Sequence, residues 1–555
     1  MKIVRKVRVF ALLSMTLLGS YGASLWAQQA DTDKGFEIAK NLEIFSNVYR
    51  NVNMHYVDDV DPGKAIKTAI DAMLASLDPY TNYYPESDIE DVRLQLLGEY
   101  GGIGAIILQK EKWVYVSEPY EGFPADQAGL RAGDRIVSIN GESAEGKTTA
   151  EVSDALRGQA GTTLELVVER DGKNLHKQLT RKAIKFKPVP YFGFVDDGVG
   201  YIKLNEFTQH AASDVRDAFT HLRSERADMK GLILDLRGNG GGLLNEAVDI
   251  VNLFVKPGEL VVETKGKVAA KNMRNYTTAP AIDTDLPIVV LINGYSASAS
   301  EIVSGSLQDL DRAVVVGSRS YGKGLVQNIL PMAYNSQMKV TVSKYYIPSG
   351  RCIQAIDYTH RDEEGRASKV PDSLKVAFKT RNGRTVYDGF GIEPDVEVEP
   401  QYMSILAMTL VQKNYLFDFA NDFVKHHPSI DPPSQFVVTD DIYADFKRFM
   451  SDKKYDYATA TERVLKELRA VAGEEKYLDS IDDAISSLEA YMKADKERDL
   501  DRHRDELSEM LKAELLVRYY YDKGRIEGTL RSDPEVHKAV EVLSDKERYR
   551  KILNQ

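Results

Sequence analysis

Between Lys185 and about Pro400 the chain alternates short apolar runs with longer amphipathic ones, and no other feature limits its fold as much. Gly200–Leu204, Gly231–Leu236, Pro287–Asn293 and Ala313–Gly317 have the length and aliphatic content of buried strands. Ser213–Ser224, Leu243–Phe254 and Ser300–Leu310, which lie between them, carry helical spacing. Strand and helix in repeated alternation predict a mainly parallel α/β core, because parallel neighbours need a crossover long enough to hold a helix.

That core is less than half of the 555 residues, and at about 150 residues per domain the chain has room for three to four domains. An apolar fraction of 43% against 28% charged residues excludes wholesale disorder. A net charge of −12 argues against a nucleic-acid binder, which presents a basic face. Residues 1–27 read as a secretory signal: Lys2, Arg5, Lys6 and Arg8 precede the apolar run Val9–Leu18, which is too short to span a bilayer. Cleavage is expected near Ala27; left uncleaved, the segment would hold the chain at the inner membrane. The single Cys352 rules out an intrachain disulfide, and a disulfide-free exported chain suits a bacterial periplasm.

Residues 36–97 carry helical spacing, first at Leu42, Phe45, Val48 and Tyr49 and then at Ile66, Ile70, Met73 and Leu74. Beyond Tyr402 the chain is helical and densely charged. Ile481, Ile485, Leu488 and Met492 mark one apolar face there, which suits residues 401–555 to homo-oligomers, though a tail folding back on its own body would read the same way.

Residues 98–184 are different in character, with short β-type runs separated by glycine. In Pro124-Ala125-Asp126-Gln127-Ala128-Gly129-Leu130-Arg131-Ala132-Gly133-Asp134-Arg135-Ile136-Val137-Ser138-Ile139-Asn140-Gly141 a helical turn ends at Gly129 and Leu130 can plug a core. Gly133-Asp134 then turns tightly into a strand closed by Asn140-Gly141. Earlier, Gly101-Gly102-Ile103-Gly104 leaves backbone N–H groups uncovered, a possible nest for a carboxylate, and the strand after it could accept an extended peptide. The stretch resembles a PDZ domain. The resemblance implies capture of protein C-termini, with Gly101, Gly102, Ile103 and Gly104 as the carboxylate loop.

Three segments of the α/β block look chemical. Asp235-Leu236-Arg237-Gly238-Asn239-Gly240-Gly241-Gly242 exposes successive N–H groups between a strand and a helix, where anionic oxygens are favoured. Ser296-Ala297-Ser298-Ala299-Ser300-Glu301 sits at a second strand–helix junction, small enough for a substrate backbone to approach a hydroxyl. Tyr321-Gly322-Lys323-Gly324-Leu325-Val326-Gln327 follows a third strand. Gly317 to Lys323 mimics a phosphate-binding loop, but Gly324 replaces its Ser or Thr and the chain continues as strand rather than helix. The alternative is a serine hydroxyl with lysine as its base, although by spacing alone Lys323 reads first as a surface lysine in a glycine turn. The base role requires burial to bring the lysine from its ordinary pKa of about 10.4 towards about 7. Gln327, four residues on, could orient the amine.

An export signal, a PDZ-like module, G-N-G-G-G, S-A-S-A-S-E and Y-G-K-G-x-V-Q, in this order, resemble the carboxy-terminal processing peptidases, or tail-specific proteases, of serine-peptidase family S41. The resemblance runs from about Asn41 to Val398. It takes in Leu77-Asp78-Pro79-Tyr80-Thr81 and Lys344-Tyr345-Tyr346-Ile347-Pro348-Ser349-Gly350-Arg351. It implies Ser298, the middle of three serines, as nucleophile, Lys323 as base and Gln327 as its positioner. The N–H of Ala299 would form the oxyanion hole with that of Gly240 or Gly241, and Arg157 would couple peptide capture to the active site. Cys352 stands where the family commonly has serine, and Phe390 where glycine is usual. The implied fold is a multidomain α/β protein: N-terminal helices at 36–97, an inserted PDZ domain at 98–184, a catalytic core at 185–400 and a helical region at 401–555. The implied function is an exported endopeptidase needing no metal or other cofactor, acting on protein or peptide substrates with free apolar C-termini. The rival class, a non-catalytic adaptor, would have no use for Ser298, Lys323 and Gln327 together.

Overall fold

The computed structural model describes residues 34–88, 99–196, 198–496 and 498–555, so the expected signal and the end of the expected N-terminal helical stretch lie outside it. The chain divides into two compact units, residues 1–83 and 84–555. In the first, a helix over residues 34–55 precedes the helix Pro62–Ala75. Asp61 caps the second helix by accepting the Lys64 N–H at 3.0 Å, and Pro62 takes a first-turn position where a missing N–H costs nothing. Asp78 then pins a turn by accepting the N–H groups of Tyr80 and Thr81, each at 2.8 Å. Leu42, Phe45 and Val48 are all exposed.

The second unit is built on a six-stranded sheet in the order Tyr191–Asp196, Val199–Lys203, Gly231–Asp235, Ile288–Ile292, Val314–Gly317 and Val396–Glu397. The first pair is antiparallel and every later pair parallel. The parallel strands follow one another across the sheet in chain order. Right-handed crossovers therefore put the helices Ala211–Glu225, Leu244–Phe254 and Ala299–Asp309 on the same face. That face is packed through Leu232, Leu234, Ile288, Val290, Ile292 and Val315. The alternate residues, Ile233, Val289, Leu291, Val314 and Val316, are equally apolar and point the other way. They need a cover that no crossover supplies.

The cover comes from the end of the chain. Val536, Ala539, Val542 and Leu543 of the helix Pro534–Ser544, with Leu530, Tyr549 and Leu553, close over the second face. The Tyr549 hydroxyl donates to the Ile288 carbonyl at 3.1 Å and accepts the Ile288 N–H at 3.0 Å, fixing the start of a central strand. Residues 401–555 accordingly pack in two places. Leu406, Leu410, Phe419, Phe423, Phe446, Leu507, Leu511 and Leu515 form a helical core of their own. The helix Arg504–Thr529, broken at Tyr521, leads from that core to the sheet. Leu543 is 2% exposed against Gly231, so Leu543→Ala should cost about 2–5 kcal/mol, read as a lowered denaturant midpoint.

The PDZ module is an antiparallel sheet in the order Ala105–Lys110, Trp113–Pro119, Arg135–Ile139, Thr163–Arg170 and Lys173–Thr180. Leu130, Ile136 and Ile139 are in its core, and Asn140 and Gly141 both take positive φ, as a two-residue hairpin turn requires. Its link to the core is a two-stranded ribbon, Glu99–Gly102 paired antiparallel with Lys182–Lys185. The helical region touches its other side through Lys110–Asp418 at 2.6 Å and the Tyr521 hydroxyl on Asp126 at 2.8 Å.

Candidate active site

The three chemical segments lie beyond the carboxyl ends of three neighbouring parallel strands, where open α/β sheets place their ligands. The glycine run follows Gly231–Asp235, the serine run follows Ile288–Ile292, and the lysine loop follows Val314–Gly317. Ser298 is the N-cap of the helix Ala299–Asp309, at φ 56° and ψ −112°. A non-glycine residue in that region is strained, and such strain is tolerated where a side chain must stand clear. Its two neighbours are different. Ser296 and Ser300 are fully buried, donating to the Leu236 and Asn239 carbonyls, each at 2.9 Å. Ser298 instead caps its helix, in a capping box with Glu301.

Gly241 packs directly on this turn. A Cβ built on it would lie 2.7 Å from the Ala297 carbonyl oxygen and 2.8 Å from the Ser298 Cβ, so no other residue fits. The contact is locked by Asn239, which is fully buried. Its carbonyl accepts the Ala297 N–H at 3.0 Å, its Oδ1 accepts the Gly241 N–H at 2.9 Å and its Nδ2 donates to the Leu204 carbonyl. The Gly241 N–H is therefore already spent, which removes it from the oxyanion pair expected from the sequence. Gly240 is exposed, and among the described residues nothing accepts its N–H. The same is true of the Ala299 N–H, which heads its helix and adds the positive end of the helix dipole.

The group that joins serine to lysine is Glu301. Its Oε2 accepts the N–H of Ser298 at 2.8 Å and that of Lys323 at 2.9 Å, so one oxygen holds both backbones. Its Oε1 accepts the Gly322 N–H at 2.7 Å and the Ser320 hydroxyl at 2.5 Å. The side chain is fully buried, and desolvation raises its pKa to about 6 although all four donors favour the carboxylate. At neutral pH it is a buried anion whose contacts all belong to the site. The sequence reading gave Glu301 no role. The available signal was its place three residues after Ser298, the spacing at which an acid reaches back to an N-cap N–H. Tyr345, also buried, donates to the Ser298 carbonyl at 3.1 Å. Gln327, on the strand Leu325–Pro331, donates its amide to the Thr341 hydroxyl at 3.1 Å, which fixes its head group.

Residues 198–361 match the family model described as Peptidase family S41. Residues 115–170 match a PDZ domain, and residues 406–543 match a model described as a probable PDZ-protease C-terminal helical domain. The carboxy-terminal-processing protease of Bartonella bacilliformis is 38% identical over 363 residues, covering 64% of this chain and 82% of that protein. The chain belongs to peptidase family S41, among the carboxy-terminal-processing proteases. A probable CtpA-like serine protease of Staphylococcus aureus is 35% identical over 314 residues, 56% of this chain and 62% of that protein. The solved photosystem II D1 C-terminal processing protease is 28% identical over 64% of this chain and 87% of its own, with a TM-score of 0.35.

In this family member the PDZ residues are placed as follows. The strand Ala105–Lys110 is an edge of its sheet, and the helix Thr149–Leu156 lies beside it. The Ile103 side chain is core, so only its backbone can meet a ligand. The N–H groups of Ile103 and Gly104 have no acceptor among the described residues. Gly101 is pressed against Gly158, where a Cβ would sit 2.0 Å from the Gly158 carbonyl oxygen. Arg157 ends the helix and lays its guanidinium over the Tyr100 ring, 5.3 Å from the centroid, on the ribbon that leads to the core. Arg181, which the sequence reading passed over, caps the same helix by donating to the Ala155 and Leu156 carbonyls, each at 2.9 Å. Burial pushes the Cys352 thiol up, away from the thiolate that a nucleophile needs. Phe390 lies between the cations of Arg319 and Lys375. Its neighbour Gly391 backs onto Ser320 and Gly322, so the departure lies one residue from the lysine loop.

Proposed function

We propose that this protease is exported to the periplasm, captures the free C-terminus of a protein in its PDZ groove and cleaves the chain upstream with Ser298 and Lys323. The observation that carries the reading is the carboxylate of Glu301, which ties the strained Ser298 turn to the lysine loop beside two open N–H groups. Neutral Lys323 takes the Ser298 proton as the oxygen attacks the peptide carbonyl. The resulting oxyanion is held by the N–H groups of Ala299 and Gly240. The lysine then protonates the departing amine, leaving an acyl-serine. Water, deprotonated by the same lysine, releases the acid and restores the hydroxyl. Gln327 holds the lysine in place, and the reaction calls on no metal or organic cofactor.

For substrate capture, the N–H groups of Ile103 and Gly104 receive the terminal carboxylate, and the edge strand Ala105–Lys110 takes the residues before it. Arg157, at the junction of groove and ribbon, reports occupancy to the core. Two peptides differing only in a free or amidated apolar C-terminus test this. Amidation should raise KM about tenfold and leave kcat within twofold, the loss of one charge-assisted contact. Equal KM values would remove C-terminus recognition from the reading, and inhibition by a chelator would contradict the metal-free mechanism. Export is checked by fractionation and by a mature N-terminus just after Ala27. Retention at the inner membrane or a homo-oligomer would appear in the same preparation.

A further inference from the structure

The glycine run is four glycines in five residues, Gly238 to Gly242, and glycine has more backbone freedom to lose than any other residue. Something must hold its ends. At the far end Phe207 takes up the Gly241 carbonyl and the Leu243 N–H. At the near end the frame is Arg237. Its N–H donates to Asp235 Oδ1 at 2.8 Å, and its carbonyl accepts the Lys203 amine at 2.6 Å. Its guanidinium meets the fully buried Asp235 through Nε at 3.0 Å and Nη2 at 2.6 Å. That leaves Nη1, and what fills it comes from almost 300 residues away: Asp533 at 2.7 Å, and Glu535, both at the start of the helix Pro534–Ser544.

We propose that Asp533 and Glu535 are positioning residues for the oxyanion loop, so that the seating of the terminal helix on Arg237 sets the rate of turnover. Glu535 also lies near the other side of the site. A Cβ on Gly317 would lie 3.4 Å from its Oε1, and Gly317 is the last residue of the strand that leads into the Lys323 loop. One acidic side chain thus stands against the segments that deliver both the oxyanion donors and the base. The guanidinium is 12% exposed, so an Nη1 that loses its acids cannot turn to bulk water without moving the loop. Residues argued to hold a neighbour in place should act on kcat and spare peptide capture, because the PDZ groove is elsewhere.

The inference rests on Ser298 being the nucleophile, and the experiment separates the two. Asp533→Asn keeps the helix cap, since an amide oxygen can accept the Glu535 and Val536 N–H groups that Asp533 now accepts, and Glu535→Gln keeps the shape. The double variant of the full chain should lose about tenfold in kcat with KM within twofold, and its Ser298 should react about tenfold more slowly with a phosphonate. Glu535→Asp, which keeps the charge, should restore most of the rate. Tyr549→Phe, which removes the bond to Ile288 made from the following helix, Lys546–Ile552, and leaves Asp533 and Glu535 on Arg237, should lower the melting temperature and leave kcat unchanged. If wild-type Ser298 is not the labelled residue, the nucleophile reading fails and this inference falls with it. Where Ser298 is labelled, wild-type kcat in the double variant, a loss seen only in KM, or an equal kcat loss in Tyr549→Phe overturns the inference alone.

Discussion

Ser298→Ala should remove turnover almost entirely, with a loss in kcat of about 10⁴-fold or more, while peptide binding persists. The prediction separates Ser298 from two serines that composition cannot distinguish from it. Ser296→Ala and Ser300→Ala delete buried hydroxyls that bind backbone carbonyls, so each should cost about 1–3 kcal/mol of stability and only modest activity. Lys323→Ala should be as damaging as Ser298→Ala, and the double variant no worse than either, because nucleophile and base act as a unit. Peptide turnover and denaturant midpoints for the four single variants and the double variant decide it. Wild-type kcat in Ser298→Ala, or loss without destabilisation in Ser296→Ala, would move the nucleophile elsewhere.

Glu301→Ala should reduce kcat by about 10³-fold, although the residue touches no substrate atom. Among the donors it frees are the N–H groups of Ser298 and Lys323, whose common acceptor sets the distance between nucleophile and base. Glu301→Gln should be milder. Its amide can face Ser320, whose hydroxyl can turn to accept, leaving Gly322 as the one donor opposed by a donor. Stability should move in the other direction. Desolvation raises the folded-state pKa to about 6, above the ordinary glutamate value, so the fold binds the proton more tightly than the unfolded chain does. That contribution is complete below a pH of about 4.5 and is lost as pH rises through about 6, on the order of 2 kcal/mol in all. Glu301→Gln should flatten this part of the stability profile and make the protein no less stable at pH 8. A Glu301→Ala enzyme with wild-type kcat would show that the carboxylate is only packing.

A buried anion that costs stability at working pH, and whose four contacts all lie in the site, is placed for catalysis rather than for folding. The same contrast explains how much could be read beforehand. Strands such as Ile288–Ile292 and the helix Ala299–Asp309 are written in runs of near neighbours, where the period of apolar residues reports local geometry. The PDZ turn at Asn140-Gly141 is equally local. The three catalytic segments were legible as motifs because each is a short loop between such elements. Their proposed roles as nucleophile, base and oxyanion donor came from resemblance, since spacing alone left Ser296, Ser298 and Ser300 equivalent and Gly240 and Gly241 undecided.

Tertiary structure settled what depends on residues far apart in the chain. Gly241 gives up its N–H because Asn239, pinned to Leu204, turns its amide oxygen onto it, and Gly240 is left open. Ser296 and Ser300 are tied down because Leu236 and Asn239 are brought against them from some sixty residues upstream. The bare face of the sheet gave no hint of its cover. Crossover handedness forced one, and helix periodicity could not show that Val536, Val542 and Leu543 would supply it. Alternating strands and helices determined by themselves that this chain forms a parallel sheet with loops gathered at one edge. Which atoms meet at that edge was decided by packing, because a hydrogen bond or a buried face needs its partner in space and takes no account of its distance in sequence.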